Sequence, residues 1–494
     1  MKETFYIDRL PFPIWGKIMK NYYAIVIGTG SAMNFVGELS NKFPEKKIAV
    51  IDKDDPGGIC LTRGCIPSKL LLYPAELVRN IETAVKFGID VEIKNIDFKF
   101  VMEQMRKKIS ENISMIREGL SRNPTIDYYH EIAEFIAPYT MKVGNETITS
   151  KMIFLCTGSK PIIPDIKGLN GSGYLTSDTV LELTELPESI AIIGGGYIAA
   201  EYGHFFSAMG SQVTIIGRNP QFIPEEEPEI SALAERDMSK FMKIITDHEV
   251  IEVQKTDDGK KKIIAQDKTN GKKVSVVSKE ILIAAGRGPN TDLLHPEKGG
   301  IKIDSIGWIV VNEYLETSQP DIWAFGDADG KYLFKHVANY ESRVVYYNAL
   351  LKKKVRVDYH AVPHAVFSYP EIASVGLKES EAIEKLGENN ISICFKRYED
   401  TAKGQAMGVK DYFVKVILEN ETNKILGAHI IGPYASILIH EIIPLMYTKE
   451  ENAGPIIYAM HIHPALSEVV EKAFYSLMSP EQYHHTLSHF DFGR

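Results

Sequence analysis

Twice in this chain a short, unbroken run of mostly β-branched residues stops on glycines: Tyr23-Ala-Ile-Val-Ile-Gly28-Thr-Gly30 and Ile190-Ala-Ile-Ile-Gly194-Gly195-Gly196. Such a run suits a strand buried on both faces, and the glycines suit a tight turn into a helix. A second run follows each at the spacing of a strand–helix–strand unit: Lys47-Ile-Ala-Val-Ile-Asp52 and Gln212-Val-Thr-Ile-Ile-Gly217. Two nucleotide-sized α/β units are therefore expected. The 494 residues exceed what one core organises, so about three domains are expected.

The remaining segments read differently. Residues 97–120 have helical periodicity with Lys and Arg outward, and residues 246–278 are lysine-rich and read as surface hairpins. From about residue 361 the pattern becomes α+β. Lys415-Val-Ile-Leu-Glu-Asn and Lys424-Ile-Leu-Gly-Ala-His-Ile-Ile flank a polar turn and predict a hairpin. Residues 465–478 carry one apolar helical stripe, and residues 434–447 read as a buried helix. A net charge of -9 argues against general nucleic-acid binding, which needs a basic face. No apolar run approaches the ~18 residues needed to span a bilayer. Residues 1–20 show no secretory pattern and read as a short extension. The chain holds four cysteines, Cys60, Cys65, Cys156 and Cys394, too few for a stapled secreted scaffold. A reducing compartment is expected, the cytoplasm, where a close cysteine pair is catalytic or metal-binding more often than structural.

The pair lies in Gly57-Gly58-Ile59-Cys60-Leu61-Thr62-Arg63-Gly64-Cys65-Ile66-Pro67-Ser68-Lys69. A disulfide needs Cα atoms roughly 4.4–6.8 Å apart. Residues five apart on a regular helix are too distant, so joining these two requires a distorted turn, which Gly64 can supply. A strained bond of that kind is easily reduced, and Arg63 and Lys69 favour thiolates. A zinc half-site is the competing reading, but no further Cys or His ligands lie nearby in sequence.

This segment resembles the active-site signature of the class I pyridine nucleotide–disulfide oxidoreductases, Gly-Gly-Thr-Cys-x-Asn-x-Gly-Cys-Ile-Pro-Ser-Lys. The likeness runs from Tyr22 to about Pro480, with Ile59 and Thr62 departing from the usual Thr and Asn. It implies an α/β fold: two Rossmann-like domains, for FAD and NAD(P), and a C-terminal α+β dimerisation domain. The expected divisions are an extension 1–20, the FAD-binding domain 21–165 resumed at 289–360, the NAD(P)-binding domain 166–288 and the interface domain 361–494. The resemblance makes Cys60 the thiol that exchanges with substrate and Cys65 the one facing the flavin.

It also assigns cofactor contacts. Gly28-Thr-Gly30-Ser31-Ala-Met33 resembles the flavin fingerprint, with Met33 where a third glycine is usual; Asp52 would take the adenosine ribose, beside Lys53. Gly58, Thr157-Gly158-Ser159, Gly326-Asp327, His336 and Ala338 complete the flavin set, with Cys156 structural. Gly194-Gly-Gly196-Tyr197-Ile198-Ala199-Ala-Glu201 fits the nicotinamide fingerprint, with Tyr197 covering the pocket and Glu201 partnering Lys69; Gly286-Arg287 mark a domain junction. The second strand of that unit ends at Gly217-Arg218, without the carboxylate of NAD enzymes and with a cation suited to a 2′-phosphate. Glu225, Glu226 and Glu227 follow closely and oppose that reading. NAD or NADP stays open.

Finally, His461-Ile-His463-Pro464-Ala465-Leu-Ser-Glu468 resembles the family's His-x-His-Pro-Thr-x-Ser-Glu, with Ala465 in place of threonine. The likeness makes His463 the base, oriented by Glu468 and reaching the other subunit of a homodimer. The expected activity is electron transfer between NAD(P)H and a small dithiol or disulfide. The first choice of substrate is dihydrolipoamide, free or as a lipoyl group on a carrier domain. A mycothione- or glutathione-reductase-like activity is the alternative. Mercuric reductase fits less well, since Phe490-Asp-Phe-Gly-Arg494 holds no vicinal cysteines. A flavoprotein kept chiefly for complex assembly is a further alternative, opposed by the intact cysteine pair and His463.

Overall fold

The computed structural model describes residues 19–492. Each buried aliphatic run becomes the centre of a parallel five-stranded sheet. The first sheet runs Ile322–Ala324, Ile153–Leu155, Ala24–Ile27, Ile48–Ile51, Ile126–Tyr129. Its last-arriving strand begins 169 residues after the start of its neighbour (Ile153 to Ile322), so the chain leaves this unit, builds another and returns. The second sheet runs Leu175–Thr176, Glu280–Ile283, Ser189–Ile193, Gln212–Ile216, Lys243–Ile245. Every residue of Ala24–Ile27 and Ile48–Ile51 is buried, as expected for strands covered on both faces.

The lysine-rich region forms a three-stranded antiparallel sheet, His248–Lys255, Lys261–Asp267 and Lys273–Ser278. The predicted helix over 97–120 is Phe98–Arg122, begun by the Asp97 carboxylate accepting from the Phe100 amide at 2.9 Å. The C-terminal region is a six-stranded antiparallel sheet whose hairpin, Phe413–Glu419 and Ile425–Ile431, lies where the turn chemistry placed it.

Three expectations are corrected. Residues 434–447 form three short pieces, Ala435–Leu438, Ile439–Glu441 and Ile443–Met446, after Tyr434 adopts a left-handed φ of 63°. Proline at 444 lacks the amide that would continue one helix through them. Residues 465–478 are helical only over Glu468–Ala473; Leu477–Met478 pair as an edge strand with Ile393 and Cys394. Sheet hydrogen bonding there overrides the helical stripe. Residues 1–18 of the expected extension lie outside the described residues, and Met19–Asn21 form a strand parallel to Glu146–Thr149. Among the described residues no helix is long and apolar enough to cross a membrane.

Candidate active site

Cys60 sits in the short helix Gly58–Thr62, which ends at Arg63, and Cys65 opens the next helix, Cys65–Thr83. Gly64 makes the corner. A Cβ there would lie 2.9 Å from the Ile59 carbonyl oxygen and 3.2 Å from the Cys60 Cα, so any side chain would push the turn open. Both cysteines are free thiols, and the Cys60 thiol hydrogen-bonds the Cys65 sulfur. That bond brings Cys65 down to about 7, with Lys69 assisting against the effect of burial. The same bond, with burial, drives Cys60 strongly upward. The pair therefore gives up its first proton more readily than an isolated thiol, and the hydrogen bond shares the resulting charge between the two sulfurs.

Lys69 lies one helical turn beyond Cys65. Its ammonium donates to both Glu201 carboxylate oxygens, at 2.9 and 2.8 Å, and stands 4.5 Å from the Phe367 ring centroid. Glu201 is buried on the helix Tyr197–Met209, so this pair joins the cysteine helix to the second nucleotide unit.

The cysteines open onto a cavity of about 830 Å³. From the sequence-derived set, Gly28, Gly30, Ser31, Asp52, Lys53, Gly58, Thr157, Gly158, Tyr197, Ile198, Glu201, Arg287, Gly326, Asp327, His336 and Ala338 line it together with Cys60, Cys65 and Lys69. Asp52 accepts from the Thr29 amide at 2.8 Å and hydroxyl at 2.5 Å, which ties the glycine turn to the end of the second strand. Ser159 lies just behind the lining; its hydroxyl donates to Asp327 at 2.5 Å and accepts from Arg287 Nε at 2.7 Å. Burial pushes the Asp327 carboxyl above the usual range. The Thr157 hydroxyl is buried in the cavity wall without a hydrogen-bond partner, and Gly58, at φ +71°, packs its Cα face against Gly30. A long polar cofactor fits these features: backbone laid bare at the glycines, an unsatisfied hydroxyl, and carboxylates at Asp52 and Asp327.

Other sequence-derived residues lie outside this lining. Gly194, Gly196 and Ala199 form the strand-to-helix turn of the second unit, Gly286 hydrogen-bonds the Ile162 amide through its carbonyl, and Arg218 is exposed beyond the strand Gln212–Ile216. His463 and Glu468 are brought together elsewhere: His463 Nδ1 is 3.0 Å from Glu468 Oε1, while the other carboxylate oxygen accepts from the Ala465 amide at 3.1 Å. The His463 hydrogen bond, aided by Lys472, holds the Glu468 carboxyl at about 2. The His463 side chain is 69% exposed, and Tyr458, Met460 and Ile462 are exposed beside it in sequence.

Sequence reasoning missed Lys335, Asn339 and Phe334, which also line the cavity. One signal was present: Lys335 opens the helix Lys335–Val345, where the helix dipole disfavours a cation.

A family profile of pyridine nucleotide-disulphide oxidoreductases matches residues 22–349, and the dimerisation-domain profile of the same enzymes matches 362–474. This chain belongs to that family. Pyridine nucleotide-disulphide oxidoreductases use FAD and NAD(P)H, the cofactor chemistry that the fingerprints and the cavity suggest. Mycothione reductase of Mycobacterium tuberculosis is 35% identical over 471 residues, 93% of this chain and all of that protein. Dihydrolipoyl dehydrogenase of Chlamydia trachomatis is 33% identical, covering 92% of this chain and 97% of the relative. Among solved structures, the HOCl-induced flavoprotein disulfide reductase RclA of Escherichia coli, as its Cu(II) complex, superposes with a TM-score of 0.81 at 27% identity, over 92% of this chain and 99% of that one.

Proposed function

We propose that this oxidoreductase is an NADPH-linked reductase of a small disulfide. The observation that carries the nucleotide choice is where two of the three glutamates after Arg218 point, the third, Glu225, being exposed. Glu226 is 2% exposed and is bound by His364 at 2.7 Å and Ser374 at 2.6 Å. Glu227 is equally buried, facing Lys415 and the Glu379 amide. Both are spent on the C-terminal unit, leaving the exposed Arg218 at the strand end where a 2′-phosphate would lie. The likeness to mycothione reductase along its whole length supports the reductase part of this reading.

Bound FAD would supply the two-electron link between nicotinamide and the cysteine pair, held by the Gly28–Ser31 turn, Asp52, Thr157 and Asp327. Tyr197 would cover the nicotinamide side. Lys69 and Glu201 fix the charge beside Cys65, and Cys60 is the sulfur that attacks the substrate disulfide, forming a mixed disulfide and expelling one thiolate. The Cys65 thiolate then attacks Cys60, releasing the second thiol and closing the Cys60–Cys65 bond. His463, held by Glu468, would protonate the departing thiolate. Because that histidine lies outside its own chain's cavity and within the dimerisation-domain match, we place it in the site of a second copy, the enzyme being a homodimer of the cytoplasm.

The test is steady-state reduction of glutathione disulfide, other low-molecular-weight disulfides and lipoamide with NADPH and NADH. NADPH should give the higher kcat/KM, and Arg218→Ala should lower it roughly 10- to 100-fold, from ~1.5–3 kcal/mol for a hydrogen bond to a charged group. Turnover confined to dihydrolipoamide with NAD would sink the proposal. It would favour the second reading, a dihydrolipoyl dehydrogenase, which Ile66-Pro67-Ser68-Lys69 and the 33% identity support.

A further inference from the structure

Lys335 has no role in the account so far, and its placement is costly. It is half-buried at the first position of an 11-residue helix, against the dipole, and makes no ion pair among the described residues. Its ammonium is fixed by the Ser31 hydroxyl at 3.0 Å; Ser31 in turn donates to Asn339 at 3.0 Å, and Asn34 donates to the same Asn339 oxygen at 3.0 Å. The cavity wall it forms is shared with Cys60 and Cys65. A cation held without a carboxylate can pair with an anion formed in the same cavity.

Adding two electrons and one proton to a Cys60–Cys65 disulfide, with the nicotinamide nucleotide as the ultimate reductant, leaves one thiol and one thiolate. On the Cys65 side that charge has Lys69. We propose that Lys335 is the matching cation for Cys60, so that the single negative charge of the reduced pair can be held on either sulfur. The charge must pass to Cys60 before Cys60 can attack a substrate, and an ammonium on that side lowers the cost of the transfer. The electrostatics agree: Lys335 draws the Cys60 thiol downward, and the two sulfurs partly offset the effect of burial, which lowers Lys335 itself.

Other charged groups near the pair are already engaged. Glu201 is bound by Lys69, Arg63 by Asp54 and by Asp178 at 3.1 Å, and Asp327 by Ser159, which Arg287 also holds. Around the same cavity His336 is tied to the Pro363 carbonyl and His364 to Glu226, and His440 is among the lining residues.

This inference rests on the cysteine pair being the redox centre and is independent of which disulfide is reduced. The flavin-loaded protein is reduced, alkylated with limiting iodoacetamide between pH 6 and 9, and the labelled cysteine is mapped by mass spectrometry. In Lys335→Met the ratio of Cys60 to Cys65 labelling at neutral pH should fall roughly tenfold, as loss of an opposite charge nearby raises a pKa by about one unit. Lys335→Arg should restore most of the ratio. Ser31→Ala, which removes the anchor of the ammonium and is compared with wild type at equal flavin content because Ser31 also lies on the flavin turn, should shift it in the same direction by less, and it serves if Lys335→Met does not fold. An unchanged ratio in Lys335→Met, or in Ser31→Ala where that variant alone folds, overturns the proposal, as does an arginine variant that behaves like methionine. Normal labelling without turnover on any disulfide would instead count against the proposed function alone.

Discussion

Lys415→Met should destabilise the protein by about 3–5 kcal/mol, the usual consequence of removing one partner from a buried ionic cluster. The Lys415 side chain has no exposed surface, and its ammonium lies 2.7 Å from Glu229, 2.7 Å from Glu379 and 3.3 Å from Glu227. Methionine replaces the alkyl stem with little change in volume, so the cavity contribution is small and three carboxylates are left facing one another. At ~2.1 cal/mol/K per residue, the unfolding entropy of 494 residues is about 1 kcal/mol/K. The expected drop in Tm is therefore about 3–5 °C if the chain melts as one unit. The pH dependence has a definite sign. Burial pushes the Glu229 carboxyl up, and attraction to Lys415 outweighs it and brings the carboxyl below its usual value. In the wild type that depressed pKa stabilises the fold above the unfolded carboxylate pKa of ~4.3 and is lost as pH falls through the folded value. Without the lysine, burial is opposed only by the Tyr483 and backbone hydrogen bonds and the folded carboxyl moves up, so acid relieves the variant. The gap between the two proteins should be widest near pH 8 and narrow toward pH 4–5. Calorimetry at both pH values checks this. A variant within 1 °C of wild type at pH 8, or a gap that widens in acid, refutes the reasoning.

Gly58→Ala should cost about 1–2 kcal/mol for the left-handed backbone alone. It also places a Cβ 2.5 Å from the Gly30 Cα, so the purified variant should lose flavin, read as the ratio of visible to 280 nm absorbance; full flavin content would show that the two loops do not pack as described. Cys60→Ser and His463→Gln chains should each be inactive alone, yet their co-expression should recover activity in mixed dimers, since one composite site then keeps both intact residues. No recovery in verified mixed dimers would place His463 in its own chain's site.

What the sequence determined by itself was local. Buried strands announce themselves as unbroken aliphatic runs, glycine turns by the absence of a Cβ, and the cysteine corner by a five-residue spacing no regular helix can close. Those features marked Gly28, Cys60 and Cys65, and the resemblance marked Gly58, Tyr197 and Asp327, all of which line one cavity. The resemblance added Lys69 with Glu201 and His463 with Glu468, pairs that composition alone would not join. Tertiary structure decided the rest, because charge pairing depends on which distant surfaces meet. Glu226 and Glu227 read as competitors of Arg218 along the chain, yet packing against His364 and Lys415 turns both away. Residues 477–478 lie on a helical stripe until a strand from 391–397 offers them hydrogen bonds. Lys335 is one lysine among many until the fold carries it to Ser31, some three hundred residues earlier in the chain, and into the cavity wall that Cys60 and Cys65 share.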